Sequence, residues 1–349
     1  MSEKIKSNRP TAYFAAANGF CGFVSYFDKI FAREEFERIY ILKGGPGTGK
    51  STLMKRITEY AARSGIYYEE IYCSSDYNSL DGVILQKDKK KIAILDGTAP
   101  HIYDPQYPGS VEEIINLQDG FDIPGLISKR NEIISLGKEK KNSYESAYSY
   151  LAAAGCLFDN LFKKAASALS ENAFLNEAER YLTDVGEINR SEPQIHCLTA
   201  FGKDGIKRLK CGYHTDTKAV TVSGSSISRY VALSVLKRYS EAHGLITELY
   251  IHPFSASIYD AVITNNAMFT ASGEMGEAFI CADEYIKPIP NFEDGIEEYE
   301  RLLSLSQKAF KAAAEAHLSI EAIYKNYVDF KNNDRIYFSL LEVFDKMWG

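Results

Sequence analysis

Residues Gly44-Gly45-Pro46-Gly47-Thr48-Gly49-Lys50-Ser51-Thr52 spell G-x-x-x-x-G-K-[ST], a run whose residue types suit the cradling of phosphates. Closely spaced glycines let successive backbone N–H groups turn inward and let the chain approach an anion. The Lys50 ammonium would reach the outer phosphates, and the Ser51 hydroxyl would join the coordination of Mg²⁺. Such an ion needs a carboxylate as well, ordinarily at the end of a buried strand. Ile92-Ala93-Ile94-Leu95-Asp96 supplies one. Four apolar residues suit a strand covered on both faces, and Asp96 falls at its C-terminal end, where open α/β sheets place ligands.

Gly97 follows Asp96, so no glutamate base stands directly after the metal carboxylate. The continuation Thr98-Ala99-Pro100-His101-Ile102-Tyr103-Asp104 offers His101 to contact the terminal phosphate or accept a proton, with Asp104 behind it. Cys73, Asp76 and Asp81 occupy the region that meets the acceptor in P-loop kinases. Asp81 recurs in a second copy of the pattern, described below, and therefore reads as structural.

The elements that must hold these groups are legible around them. Ile39 to Leu42 is an apolar strand entering the loop, and Leu53, Met54, Ile57, Tyr60 and Ala61 mark one face of the helix leaving it. The basic run Lys87 to Lys91 decorates a turn between strands.

The segment from Ile39 aligns without gaps on the segment from Lys218, pairing Gly45 with Gly224, Tyr60 with Tyr239, Glu69 with Glu248 and Asp81 with Asp260. Upstream, Ala17, Gly19 and Gly22 meet Ala200, Gly202 and Gly205; downstream, the stretch from Ala147 resembles that from Ala309. In the second copy Arg229 replaces Lys50, Tyr230 replaces Ser51, and Ala267 to Ala271 runs into Ser272-Gly273 in place of Asp96-Gly97. A phenol cannot ligate Mg²⁺ as a hydroxyl does, so the second site reads as dead. Arg229 is either a surface arginine on a decayed loop or a finger reaching the phosphates of the intact site.

The expected fold is α/β of the P-loop NTPase kind: two tandem, pseudo-repeated three-layer α/β/α cores with mainly parallel sheets. An active domain spans 1–193 with a helical arm over about 126–185, broken near Ser170. A degenerate domain spans 194–349 with an arm over about 292–348, broken near Asn332-Asn333-Asp334. The aromatic stripes of both arms call for burial against the cores.

Composition narrows the functions. The chain has 349 residues, 45% of them hydrophobic and 25% charged, with a formal net charge of −7, which argues against a nucleic-acid coat or a membrane-surface protein. Six scattered cysteines form no C-x-x-C pair, and no window offers the roughly 18 uninterrupted apolar residues of a membrane span. The expected location is cytoplasmic, with no membrane partner. The 24 tyrosines and 19 phenylalanines lie beside no basic groove and read as core residues.

ILKGGPGTGKST, KIAILDGTAPHIYDP, CSSDYNSLDGVI and FAAANGFCGFVSYFD together resemble a bacterial family of tandem P-loop proteins described as ATPase-like or nucleotide-kinase-like. The resemblance runs over nearly the whole chain, and DGTAPH is its most specific element. It implies ATP or a related nucleotide at Gly44 to Thr52, with Mg²⁺ near Ser51 and Asp96, and it supplies no physiological substrate. Three functions follow. One is slow ATP hydrolysis coupled through the arms to an unknown protein partner. Another is a nucleotide or small-molecule kinase, with Lys129, Arg130, Arg180 or Arg190 receiving the acceptor. The last is a non-catalytic scaffold in which the nucleotide is structural.

Overall fold

The computed structural model describes residues 12–99, 102–182, 193–209, 218–271 and 278–348. Its first half runs β1 (Ala12–Phe14), a hairpin of β2 (Ala16–Gly19) and β3 (Gly22–Ser25), a single turn α1 (Phe27–Ile30), β4 (Arg38–Lys43) and α2 (Lys50–Arg63). It continues through β5 (Tyr67–Tyr72), β6 (Leu80–Lys87), β7 (Lys90–Asp96), β8 (Glu112–Asn116), α3 (Ile123–Ser128), the long α4 (Arg130–Ala168) and α5 (Glu171–Glu179). Its sheet has the order β1-β5-β6-β7-β4-β8, and β6 alone runs against the others. The basic run closes the β6–β7 hairpin, with Asp88 at φ +55°.

The second half repeats this plan with β9 (Gln194–His196), the hairpin β10 (Thr199–Gly202) and β11 (Gly205–Arg208), β12 (Lys218–Ser223), α6 (Ser226–Ala242), β13 (Ile246–His252) and β14 (Ser255–Thr264). Then come β15 (Ala267–Thr270), β16 (Ala278–Cys281), α7 (Phe292–Lys325) and α8 (Lys331–Trp348). The order β9-β13-β14-β15-β12-β16 matches the first sheet strand for strand and direction for direction, with β14 in the place of β6. Both sheets are therefore mixed and mostly parallel.

The layering differs from two separate α/β/α cores. Tyr40, Leu42, Val83, Leu85, Ile92 and Ile94 point from one face of the first sheet toward α2 and α8. The alternate residues Ile39, Ile41, Ala93 and Leu95 share a single buried cluster with Tyr250, Ala261, Ile263 and Met268 of the second sheet. Phe27, Phe31 and Tyr103 fill in among them, and the Tyr103 hydroxyl donates to the Phe31 carbonyl (2.9 Å). Each sheet thus carries long helices on one face only. The strands are apolar on both faces, as parallel strands must be, but half of that apolar surface is buried between the sheets.

The arms cross over. Phe174 and Ala178 of α5 pack among Val220, Val222 and Leu236 of the second half, while Tyr337, Leu340 and Phe344 of α8 pack among Leu53, Met54 and Ile57 of the first. The two elbows are fastened symmetrically: Leu169 bridges Ile286, and Phe121 bridges Val328. Lys87 and Lys90 donate to the carbonyls of Trp348 and Met347, placing cations at the C-terminus of α8 where its dipole favours them. The α4/α5 break falls at Ser170 as the sequence suggests. The second break lies at residues 326–330, ahead of the expected Asn332-Asn333-Asp334, because the Asp329 carboxylate accepts the Lys331 N–H (3.0 Å) and starts α8 there. Among the described residues no helix is long and apolar enough to cross a membrane.

Candidate functional site

The register of two neighbouring parallel strands brings the chemistry together: Leu42 of β4 lies opposite Asp96 of β7, so the loop leaving β4 starts beside the Asp96 carboxylate. The Lys50 Nζ stands 3.6 Å from Asp96 Oδ2 and donates to the carbonyls of Gly44 and Gly45, both at 2.9 Å. Thr48 Oγ1 donates to Gly45 O (2.9 Å), and Ser51 Oγ accepts the Leu80 N–H (2.9 Å). Asp96 Oδ1 accepts from the Thr98 N–H (2.9 Å) and hydroxyl (2.6 Å). Burial pushes the Asp96 carboxyl above its ordinary range and nearby Asp81 adds to the rise, while the Lys50 ammonium and Thr98 pull it back. Burial and Asp81 push the Cys73 thiol well above its ordinary range.

The second half clasps this loop. Asn333 of α8 donates from Nδ2 to the Thr48 carbonyl (2.8 Å). Gly47 has φ +70°, and a Cβ there would lie 2.8 Å from the Glu321 carbonyl oxygen of α7. At Gly45 a Cβ would meet the Tyr324 ring at 3.2 Å. The glycines therefore serve the docking of the α7–α8 elbow as well as the curl of the loop.

Loop, Ser51, Asp81 and Asp96 open on a cavity of about 910 Å³, completed by Cys73, Asp76, Lys140, Tyr144, Lys203 and His317, among others. His101 lies outside the described residues, as does Arg190. Asp104 does not line the cavity; it pairs with Lys43 at 2.9 Å on the exposed side of the sheet end. Lys129 and Arg180 pair with Glu132 and Glu177, and neither they nor Arg130 line the cavity. Lys140 and Lys203 line it instead. Asp81, read as structural from its recurrence, is buried and lines the cavity.

The degenerate loop has been filled in. Ser225 Oγ accepts the Ser228 N–H at the start of α6 (3.1 Å), and Asp283 Oδ2 accepts the Ser225 N–H (3.0 Å). In contrast, α2 has no side-chain cap at its N-terminus. Tyr230 is buried against His252 (ring centroids 4.9 Å), and the Arg229 guanidinium stacks over Tyr230 at 5.4 Å. Arg229 thus belongs to its own half and is absent from the lining of the cavity. Among the described residues no three His, Cys, Asp or Glu side chains form a metal-holding group.

Glu321 is held down to about 2 by a hydrogen bond from His317, with the charges of His317 and Lys325 adding to the effect. A depressed carboxyl stabilises the fold above its unfolded pKa, and this contribution fades as pH falls through the folded value. Glu321→Gln should therefore melt below the wild type at about pH 5, with the gap narrowing from about 4.5 downward toward 2 in a series of thermal melts.

No known protein-family model, curated protein or solved structure matches this chain.

Proposed function

We propose that this protein has the P-loop NTPase fold in duplicate and binds ATP, or a related nucleoside triphosphate, with Mg²⁺ at Gly44 to Thr52. The contrast between the two loops carries the reading. Where the second loop sets Ser225 and Asp283 against the helix start, the first leaves its N–H groups uncapped beside Lys50 and a large cavity. An uncapped helix start preceded by a glycine-rich turn favours an anion through its amides and its dipole. The same position in the second half is served by the protein's own carboxylate.

Ser51 and Asp96 would hold Mg²⁺, which when bound neutralises charge between the outer phosphates. Lys50 supplies a point charge to the phosphates, and Thr98 orients the Asp96 carboxylate through two hydrogen bonds. With no glutamate after Asp96, the base reaction is slow hydrolysis: a water oxygen bonds to the terminal phosphorus, the bridging P–O bond breaks, ADP leaves with that electron pair, and a proton passes to solvent. The α7–α8 elbow on the loop would couple nucleotide state to the arms and through them to a partner. A second reading, transfer to a small-molecule acceptor, is favoured by the volume, since about 910 Å³ lies at the upper end of ordinary ligand sites.

Equilibrium binding of ATP with and without Mg²⁺ tests the assignment. Lys50→Ala should weaken binding about 10- to 100-fold, the worth of a lost charge-assisted contact. Equal affinity in both proteins would end it.

A further inference from the structure

The protein contains its own control for the nucleotide cavity, because the same arrangement has been built twice and closed once. The two hairpins lie side by side, with Asn18 Nδ2 donating to the Phe201 carbonyl (2.8 Å), and each sends its tip into the other half. The tip of β2–β3 docks on the second half: the Phe20 N–H donates to the Phe254 carbonyl (3.0 Å), and its ring lies 4.8 Å from Phe254 and 5.4 Å from Phe158. A Cβ at Gly155 would lie 2.6 Å from the Phe20 Cβ, so glycine at that point of α4 makes room for the plug. From α7, Leu302 joins the same apolar cluster.

The repeat alignment pairs Phe20 with Lys203, Gly155 with His317, and Leu302 with Lys140. At all three positions the closed half has an apolar residue or none, and the open half has a cationic or protonatable one. The tip of β10–β11 brings Lys203 into the cavity, 3.4 Å from Asp76. Lys140 Nζ stands 3.1 Å from His317 Nδ1, and His317 Nε2 stands 3.5 Å from Glu321. Glu321 thus fixes the ring so that Nδ1 faces Lys140. Neither lysine is paired with Asp96, so both are distinct from the set around the phosphate loop. Burial, together with the charge of Lys50, draws the Lys140 ammonium below its ordinary range. An anion beside it would reverse that cost.

We infer that Lys140, Lys203 and His317 form a subsite for a second small molecule bearing a phosphate group, held in the same cavity as the nucleotide. Two lysine point charges, one of them oriented by the imidazole that accepts its hydrogen bond, match a phosphate monoester better than a single carboxylate. This inference rests on the nucleotide reading of the loop and names the class of molecule that would share its cavity.

The test copies the closed half into the open one. Inorganic phosphate is titrated calorimetrically into protein saturated with Mg²⁺ and a non-hydrolysable ATP analogue, using wild type and the double variant Lys140→Leu with Lys203→Phe. Phosphate should bind the loaded wild type and bind the variant at least about tenfold more weakly, with analogue affinity held within about twofold. Lys140→Met with Lys203→Met, which keeps the aliphatic stems, should lose phosphate to the same extent if charge is responsible. Acetate in place of phosphate should bind more weakly. Equal or tighter acetate binding would overturn the phosphate assignment. Unchanged phosphate binding in the variants would overturn the subsite, and a parallel loss of analogue affinity would assign both lysines to the nucleotide itself. Should the analogue fail to bind wild type, the nucleotide reading falls separately, and phosphate titrated into Lys50→Ala still reads the subsite by whether it depends on Lys140 and Lys203.

Discussion

Phe344→Ala should destabilise the whole chain by about 3–5 kcal/mol, the ordinary cost of emptying a fully buried aromatic site. Phe344 sits near the C-terminus, yet it packs among Leu53, Met54 and Ile57 and lies 6.2 Å, ring to ring, from Tyr40 of β4, the strand that enters the loop. The chain's single tryptophan, Trp348, lies 5.6 Å from Phe344 and reports the docking of α8 by its fluorescence. Because α8 covers the first sheet and α5 the second, loosening one arm exposes the core of the opposite half. Urea unfolding followed by tryptophan fluorescence and by circular dichroism should therefore give coincident transitions, both shifted in the variant. If the fluorescence transition moved while the dichroism stayed with the wild type, the two halves would be folding as independent units.

Gly47→Val should have the second large effect, at the loop itself. A β-branched residue at φ +70° is held where L side chains are strained, at a cost of about 1–2 kcal/mol or more. Its Cβ would also press on the Glu321 backbone at 2.8 Å, and backbone cannot swing aside as a side chain can. The loop and the α7–α8 elbow would have to separate. Nucleotide affinity should drop by an order of magnitude or more, and amide exchange over residues 318–326 should quicken, while Gly47→Ala should show the same pattern in milder form. Unchanged exchange in the elbow would mean that the contact carries no coupling.

Much of the molecule was legible along the chain, and the rest was not, for identifiable reasons. The strand, loop and helix around Lys50 could be read because phosphate-loop geometry is set by residues adjacent in sequence. The place of Asp96 beside the loop could be read because a short apolar run ending in a carboxylate marks the end of a buried strand. The duplication survived as matched glycines and apolar runs, and it predicted two α/β cores built on one plan. The exchange of arms could not be read, because an amphipathic stripe states that a helix is buried but not which sheet buries it. The same ambiguity hid the pairing of the two inner sheet faces. Lys203 carried no signal of its own, since a lysine beside a hairpin glycine is ordinary surface until the hairpin docks elsewhere. The position of the second arm break turned on Asp329, one cap among several polar residues, and the neighbouring Asn-Asn-Asp run drew attention away from it.

The crossing of α5 and α8 also bears on how such a chain can arise. A unit whose outer helix covers a neighbour's sheet cannot bury its own, so a single copy in isolation would show water a bare apolar face. Two copies on separate chains would bury both faces by trading helices, as swapped dimers do. Joining them end to end removes the need to find a partner and frees each copy to diverge. On the proposed reading, one copy could then do without a nucleotide, with Phe20 and Tyr230 in its apolar cluster, while still lending the other its walls. In the chain as it stands, the second half provides surface to the first through Lys203, His317, Glu321 and Asn333, which line the first half's cavity.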